Sequence, residues 1–135
     1  MASLQAMLIA LKQKKISSHE LVQDHLKQIK EHQHLNAFIS INADYALKQA
    51  QEADKLLARN QGGALVGIPM AHKDNFCTPH FPTSCGSKML ANFYSPYSAT
   101  LVKKLEEAGA ITLGKTNMDE FAMGSANITS AYGNV

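Results

Sequence analysis

Ala99-Thr100-Leu101-Val102-Lys103-Lys104-Leu105-Glu106-Glu107-Ala108-Gly109-Ala110-Ile111-Thr112-Leu113-Gly114 is the stretch that decides the fold class. Ser98 is placed to cap a helix over 99–108, whose Leu101, Val102 and Leu105 would face inward. Gly109 stops that helix, and the apolar run over 110–114 predicts a buried strand. A helix joined through one glycine to an apolar strand is half of an α/β unit. Continued into Lys115 and Thr116, the same residues match the phosphate-loop pattern of two glycines, four residues apart, followed by Lys-Thr. That loop requires a strand before its first glycine and a helix starting at Lys-Thr. Here the helix comes first and the four middle residues are the strand, so their N–H groups belong to a sheet ladder. Nucleotide binding is therefore not expected at this stretch.

Working upstream, Leu4, Met7, Leu8 and Leu11 recur at helical spacing and predict a helix over 3–13 with Ser3 as its cap. Lys12, Lys14 and Lys15 gather at its end, where cations favour the negative pole of the helix dipole. Ser17 and Glu20 form a capping box that opens a second helix through about His34, with Leu21, Val22, Leu26 and Ile29 inward. Both helices read as packing elements or as a surface for a partner. Residues 35–42 (LNAFISIN) predict a short strand, and 43–60 a third helix ended by Gly62-Gly63. The small stripe Ala46, Ala50 and Ala53, continued by Leu57, suits that helix to lie close on a sheet. Two regions result, a helical one over 1–62 and the first part of an α/β domain over 63–135. The expected class is α/β, with N-terminal helices followed by the start of a mixed sheet flanked by helices.

Gly67-Ile68-Pro69-Met70-Ala71-His72-Lys73-Asp74-Asn75-Phe76 is a turn leading into a short strand that ends in a lysine. Lys73 is either lifted to a solvent-facing strand end or held dry by Met70, Ala71 and Phe76. Asp74 falls on the opposite face and reads as a structural partner for a group elsewhere. Residues 77–97 show no periodicity, and long irregular loops of this kind usually carry function. Residues 115–135 are small, polar and turn-rich, with a helical turn expected over 118–123. Lys115 and Asn117 are expected to fix the turn after the strand.

Composition narrows the function classes. The 135 residues carry a net charge of only +2. Arg59 is the sole arginine, which leaves no cluster to grip phosphates. Cys77 and Cys85 fit neither a disulfide framework nor a zinc spacing and read as reduced thiols; the histidines do not converge, so no metal site is expected. No signal segment and no bilayer-length apolar run appear, so a soluble cytoplasmic protein without a membrane partner is expected.

Three blocks carry a resemblance: GIPMAHKDNFCT at 67–78, CGSKMLANFYSPYSATLVKKLEEAGA at 85–110, and GKTNMDEFAMGSANITSAYGNV at 114–135. In this order they resemble the amidase-signature family, and within it the branch of glutamine-hydrolysing subunits found in tRNA-dependent amidotransferases. The resemblance implies an incomplete amidase-signature fold and a glutaminase, which releases ammonia through an acyl-enzyme ester. It places Lys73 as the base of a Ser-cisSer-Lys triad, whose two serines lie in a segment beyond Val135. The chain alone is therefore expected to be inactive. It sets Gly124 and Ser125 beside the substrate. It implies glutamine as substrate, and B and C subunits as partners in a heterotrimer. It implies no cofactor in this chain. ATP and magnesium are expected in the B subunit, with tRNA reached through the complex. Pro79-His80-Phe81-Pro82 departs from the family's usual Lys-Gly turn, which bears on substrate fit rather than on chemistry. A free-standing amidase of the same family and a non-catalytic fragment or docking module are the competing readings.

Overall fold

A computed structural model describes residues 3–135. Its helices are α1 (Leu4–Lys12), α2 (Ser18–Glu31), α3 (Ala43–Ala58) and α4 (Thr100–Glu107); its strands are β1 (Phe38–Ile41), β2 (Pro69–Lys73) and β3 (Ile111–Thr116). The strands form one sheet in the order β1-β3-β2, with β3 antiparallel to β1 and parallel to β2. This is the mixed sheet flanked by helices that the sequence predicts. Because β1 pairs with β3, the sheet joins the 1–62 and 63–135 stretches.

The predicted caps at the first two helices are present. Ser3 accepts from the Ala6 N–H. Ser17 Oγ accepts from Glu20 N while the Glu20 carboxylate accepts from Ser17 N, closing the capping box and holding the Glu20 carboxyl below its ordinary value. Asn42 Oδ1 accepts from Tyr45 N and starts α3 directly after β1. The alanine stripe lets α3 press on the centre of the sheet, where Ala46, Ala50 and Ala53 pack with Val22, Val66, Ile111 and Leu113. Each large aliphatic side chain so buried stabilises the fold by about 1.5–3 kcal/mol. A Cβ on Gly114 would collide with the Ser40 carbonyl oxygen, so only glycine lets the middle strand pass. Both ladders shift register beside it, between Phe38 and Ser40 and between Met70 and Ala71.

Several boundaries differ from expectation. α2 ends at Glu31 and a separate 3₁₀ turn spans Gln33–Leu35, stopped by Asn36 in the left-handed region. That break delays β1 to Phe38. The cap of α4 is Ala99, without a side-chain bond, in place of Ser98. α4 is only two turns long and presents Val102 to the core, so Leu101 lies 47 % exposed. The helical turn after β3 shrinks to Glu120–Ala122, with Phe121 and Ala122 at positive φ. Among the described residues, no helix is long and apolar enough to cross a membrane.

Candidate active site

β2 ends by alternation: His72 is buried, Lys73 exposed and Asp74 fully buried. Of the two environments open to Lys73, the structure has the solvent-facing strand end. The expected dry wall of Met70, Ala71 and Phe76 does not enclose it; all three are half-buried. Among the described residues its ammonium makes no hydrogen bond or ion pair. What holds Lys73 is its backbone, paired to Thr116 in the ladder and closing a turn through the Phe76 N–H, 3.0 Å from the Lys73 carbonyl oxygen.

The buried lysine is instead Lys115. It lies within β3, not in the turn after it, and its side chain is 0 % exposed. Its ammonium donates to Phe76 O at 2.8 Å, Thr83 Oγ1 at 3.0 Å and Pro82 O at 3.4 Å, and sits 3.3 Å from Asp74 Oδ1. Burial pushes its pKa below the ordinary lysine value, and the Asp74 carboxylate opposes that shift. Asp74 Oδ2 accepts from Ser84 N (3.0 Å), Ser84 Oγ and Gly86 N (3.4 Å), and the Asp74 carbonyl accepts from Cys85 N. Its Oδ1 faces Lys115 without the alignment of a hydrogen bond. The expectation that Asp74 pairs with a group elsewhere is met by Lys115. Beside the pair, burial and then the Lys115 charge push the His72 imidazole down; its Nε2 lies 3.1 Å from Thr112 Oγ1. Burial, reinforced by Asp74, pushes the Cys85 thiol up, so it is kept from the reactive thiolate form.

Asp119 organises a second loop. Its carboxylate accepts from the N–H groups of Ala126, Asn127, Ile128 and Thr129 and from Thr129 Oγ1, all at 2.8–3.1 Å. These bonds, those from Thr129 foremost, hold its carboxyl down at about 2. A Cβ on Gly124 would lie 2.5 Å from the Asp119 carboxyl carbon, so the loop passes over the acid only as glycine. Gly124 and Ser125 are both exposed. Phe121 and Met123, at 45 % and 87 % exposed, are not core.

The two loops are tied together. Phe121 N donates to Cys85 O and Ala131 N to Gly86 O, each at 2.8 Å. Gly86, at φ +68°, leaves room for the Met118 carbonyl, which a Cβ would approach to 2.6 Å. The structure thus links the loop that follows Lys73 to the loop that bears Gly124 and Ser125. Among the described residues no three His, Cys, Asp or Glu side chains gather to hold a metal. Sequence reasoning missed the roles of Ser84, Lys115 and Asp119.

The amidase family profile matches residues 20–135. The chain belongs to the amidase family. It is 55 % identical over 134 residues to the A subunit of glutamyl-tRNA(Gln) amidotransferase from Nitrosococcus oceani, covering 98 % of this chain and 28 % of that protein. It is 59 % identical over 126 residues to the protein of the same name from Pseudomonas fluorescens strain SBW25, covering 93 % of this chain and 26 % of the relative. The native peptide amidase of Stenotrophomonas maltophilia superposes with a TM-score of 0.88 at 34 % identity, over 98 % of this chain and 29 % of its own. The chain therefore spans little more than a quarter of the length of the relatives it matches, and the fold is that part of an amidase.

Proposed function

We propose that this chain is the lysine-bearing part of the glutamine-hydrolysing subunit of a glutamyl-tRNA(Gln) amidotransferase. The observation that carries the reading is 53–59 % identity, over 93 % or more of the chain, to proteins of that kind. In the proposed reaction a serine hydroxyl attacks the side-chain amide of glutamine. Lys73, acting through a bridging serine in a cis peptide, takes the hydroxyl proton. The proton is returned to the departing nitrogen, ammonia leaves, an acyl-enzyme ester remains, and water adds to it to release glutamate and restore the serine hydroxyl. Neither serine belongs to residues 1–135. An amine in water keeps its proton at neutral pH, and burial is what releases it. Lys73 is exposed here, and in the proposed reaction further polypeptide covers it. Gly124 and Ser125 line the substrate side, where a small residue lets backbone groups approach the amide.

The ammonia passes to a B subunit, which holds ATP and magnesium and amidates the glutamyl group on tRNA, with a C subunit completing the cytoplasmic heterotrimer. The likeness to a peptide amidase favours a second reading, a free-standing amide hydrolase. Ammonia transfer that depends on B and C subunits decides between the two. The test joins this chain to the part of the Nitrosococcus relative that it lacks. Lys73→Ala is expected to lower glutamine hydrolysis by about 10²–10⁴-fold; a near-normal rate overturns the assignment. The 135 residues alone are expected to hydrolyse glutamine no faster than buffer, and activity sensitive to a serine-directed inhibitor would contradict that.

A further inference from the structure

The side chain of Lys73 is anchored by nothing among the described residues, so within them its amine is placed by the peptide that carries it. That peptide is followed at once by the buried pair, and the contacts of the pair are concentrated there. Lys115 reaches Phe76 O, Pro82 O and Thr83 Oγ1; Asp74 takes Ser84 N, Ser84 Oγ and Gly86 N. All of these groups lie in the loop that begins where β2 ends, and none is in a helix. A pair serving only the core would bond to the elements that build it. We propose that Asp74 and Lys115 are positioning residues that act as one unit on Lys73. They hold the turn from Lys73 to Phe76 on one side and residues 82–86 on the other.

The turn shows how the constraint reaches Lys73. The Lys73 carbonyl accepts from Phe76 N, and the Phe76 carbonyl in turn accepts from the Lys115 ammonium. Asp74 N donates to Thr116 O in the neighbouring strand, next to Lys115. The peptide after Lys73 is therefore fixed at its N–H, at its carboxylate and at the end of its turn. Proton transfer is sensitive to the distance between base and hydroxyl, so a loosened turn lowers turnover more than it weakens substrate binding.

The inference rests on Lys73 being the base, and the test separates the two. It uses the chain completed with the rest of the Nitrosococcus relative and assembled with its partner subunits. The double variant Asp74→Asn/Lys115→Met keeps the buried pair at zero net charge. Its kcat is expected to fall about 10–100-fold with KM within about threefold of wild type. The pH–rate profile of the double variant is expected to differ from that of wild type. Thr83→Val removes one bond from Lys115 and the hydroxyl's own bond to Phe76 O at 3.4 Å, and is expected to lower kcat about threefold. Wild-type kcat and pH profile in the folded double variant overturn the proposal. If that variant does not fold, an unchanged kcat and profile in Thr83→Val overturns it. A Lys73→Ala enzyme that stays active removes the base assignment, and this proposal with it, whatever the pair variants do.

Discussion

Asp74 and Asp119 are both buried acids at the heads of the two linked loops, and they are accommodated in opposite ways. Asp74 faces a buried ammonium from another strand and takes its remaining donors from Ser84 and Gly86. Among the described residues Asp119 has no cation, and a ring of N–H groups from its own loop surrounds it. The first arrangement exists only when β2 and β3 are already side by side. The second can close within a single loop. A charge matched across the sheet is a feature of the whole fold, whereas a charge wrapped by neighbouring N–H groups is a feature of one segment. Damage to the first should spread, and damage to the second should stay local.

Lys115→Met is the strongest attempt to break this contrast. It leaves Asp74 buried without its cation, a loss that costs about 3–5 kcal/mol, read from urea unfolding of the chain. Adding Asp74→Asn is expected to restore at least half of the loss, because the uncompensated charge disappears. A single variant within about 1 kcal/mol of wild type would mean that the pair is not desolvated as described.

Asp119→Asn comes next. Hydrogen exchange at residues 126–129 is expected to speed up, while the unfolding midpoint moves less than in Lys115→Met. A global collapse of equal size would erase the contrast.

The two sites also differ in their pH dependence. The Asp119 carboxyl is held at about 2 against an ordinary 3.8. Its contribution is thus fully present above 3.8 and lost as pH falls through about 2, which the amide resonances of Asn127 and Ile128 should follow. On the Asp74 side the neighbouring His72 has its pKa lowered from 6.5. The unfolded chain then binds the extra proton, so stability is present above pH 6.5 and declines as pH drops below it. His72→Gln should flatten that decline in thermal melts, and Asp119→Asn should not. The smallest effect belongs to Thr129→Val. It removes the hydroxyl donor of Asp119 and should speed exchange at the Thr129 amide with hardly any change in the melt.

Much of the framework was legible because its signals are local. The Ser17–Glu20 box, the alanine stripe of α3 and the apolar run before Gly114 each reveal themselves within a few residues. The burial of Lys115 was not legible. Pattern reading assigns a lysine to water, and the acid that retains it stands in a different block of sequence. Lys73 stayed open between two environments for the same reason: covering it takes groups that its own neighbours do not provide. The Asp119 loop is short-range but follows no period, so nothing in the order of residues named the acid as its hub. Leu101 misled because α4 is only two turns long and the residue it buries is Val102.

Gly114 has one more consequence. It is glycine because the Ser40 carbonyl passes over it, Gly109 turns the chain out of α4, and Lys115 answers a carboxylate. A tally of genomes by the string Gly-x4-Gly-Lys-Thr would file this chain with the phosphate-loop proteins, although residues 111–116 form the middle strand of the sheet. The order of the elements corrects the filing. A helix that runs into the first glycine, rather than out from the lysine, marks a sheet position mimicking a cofactor signature.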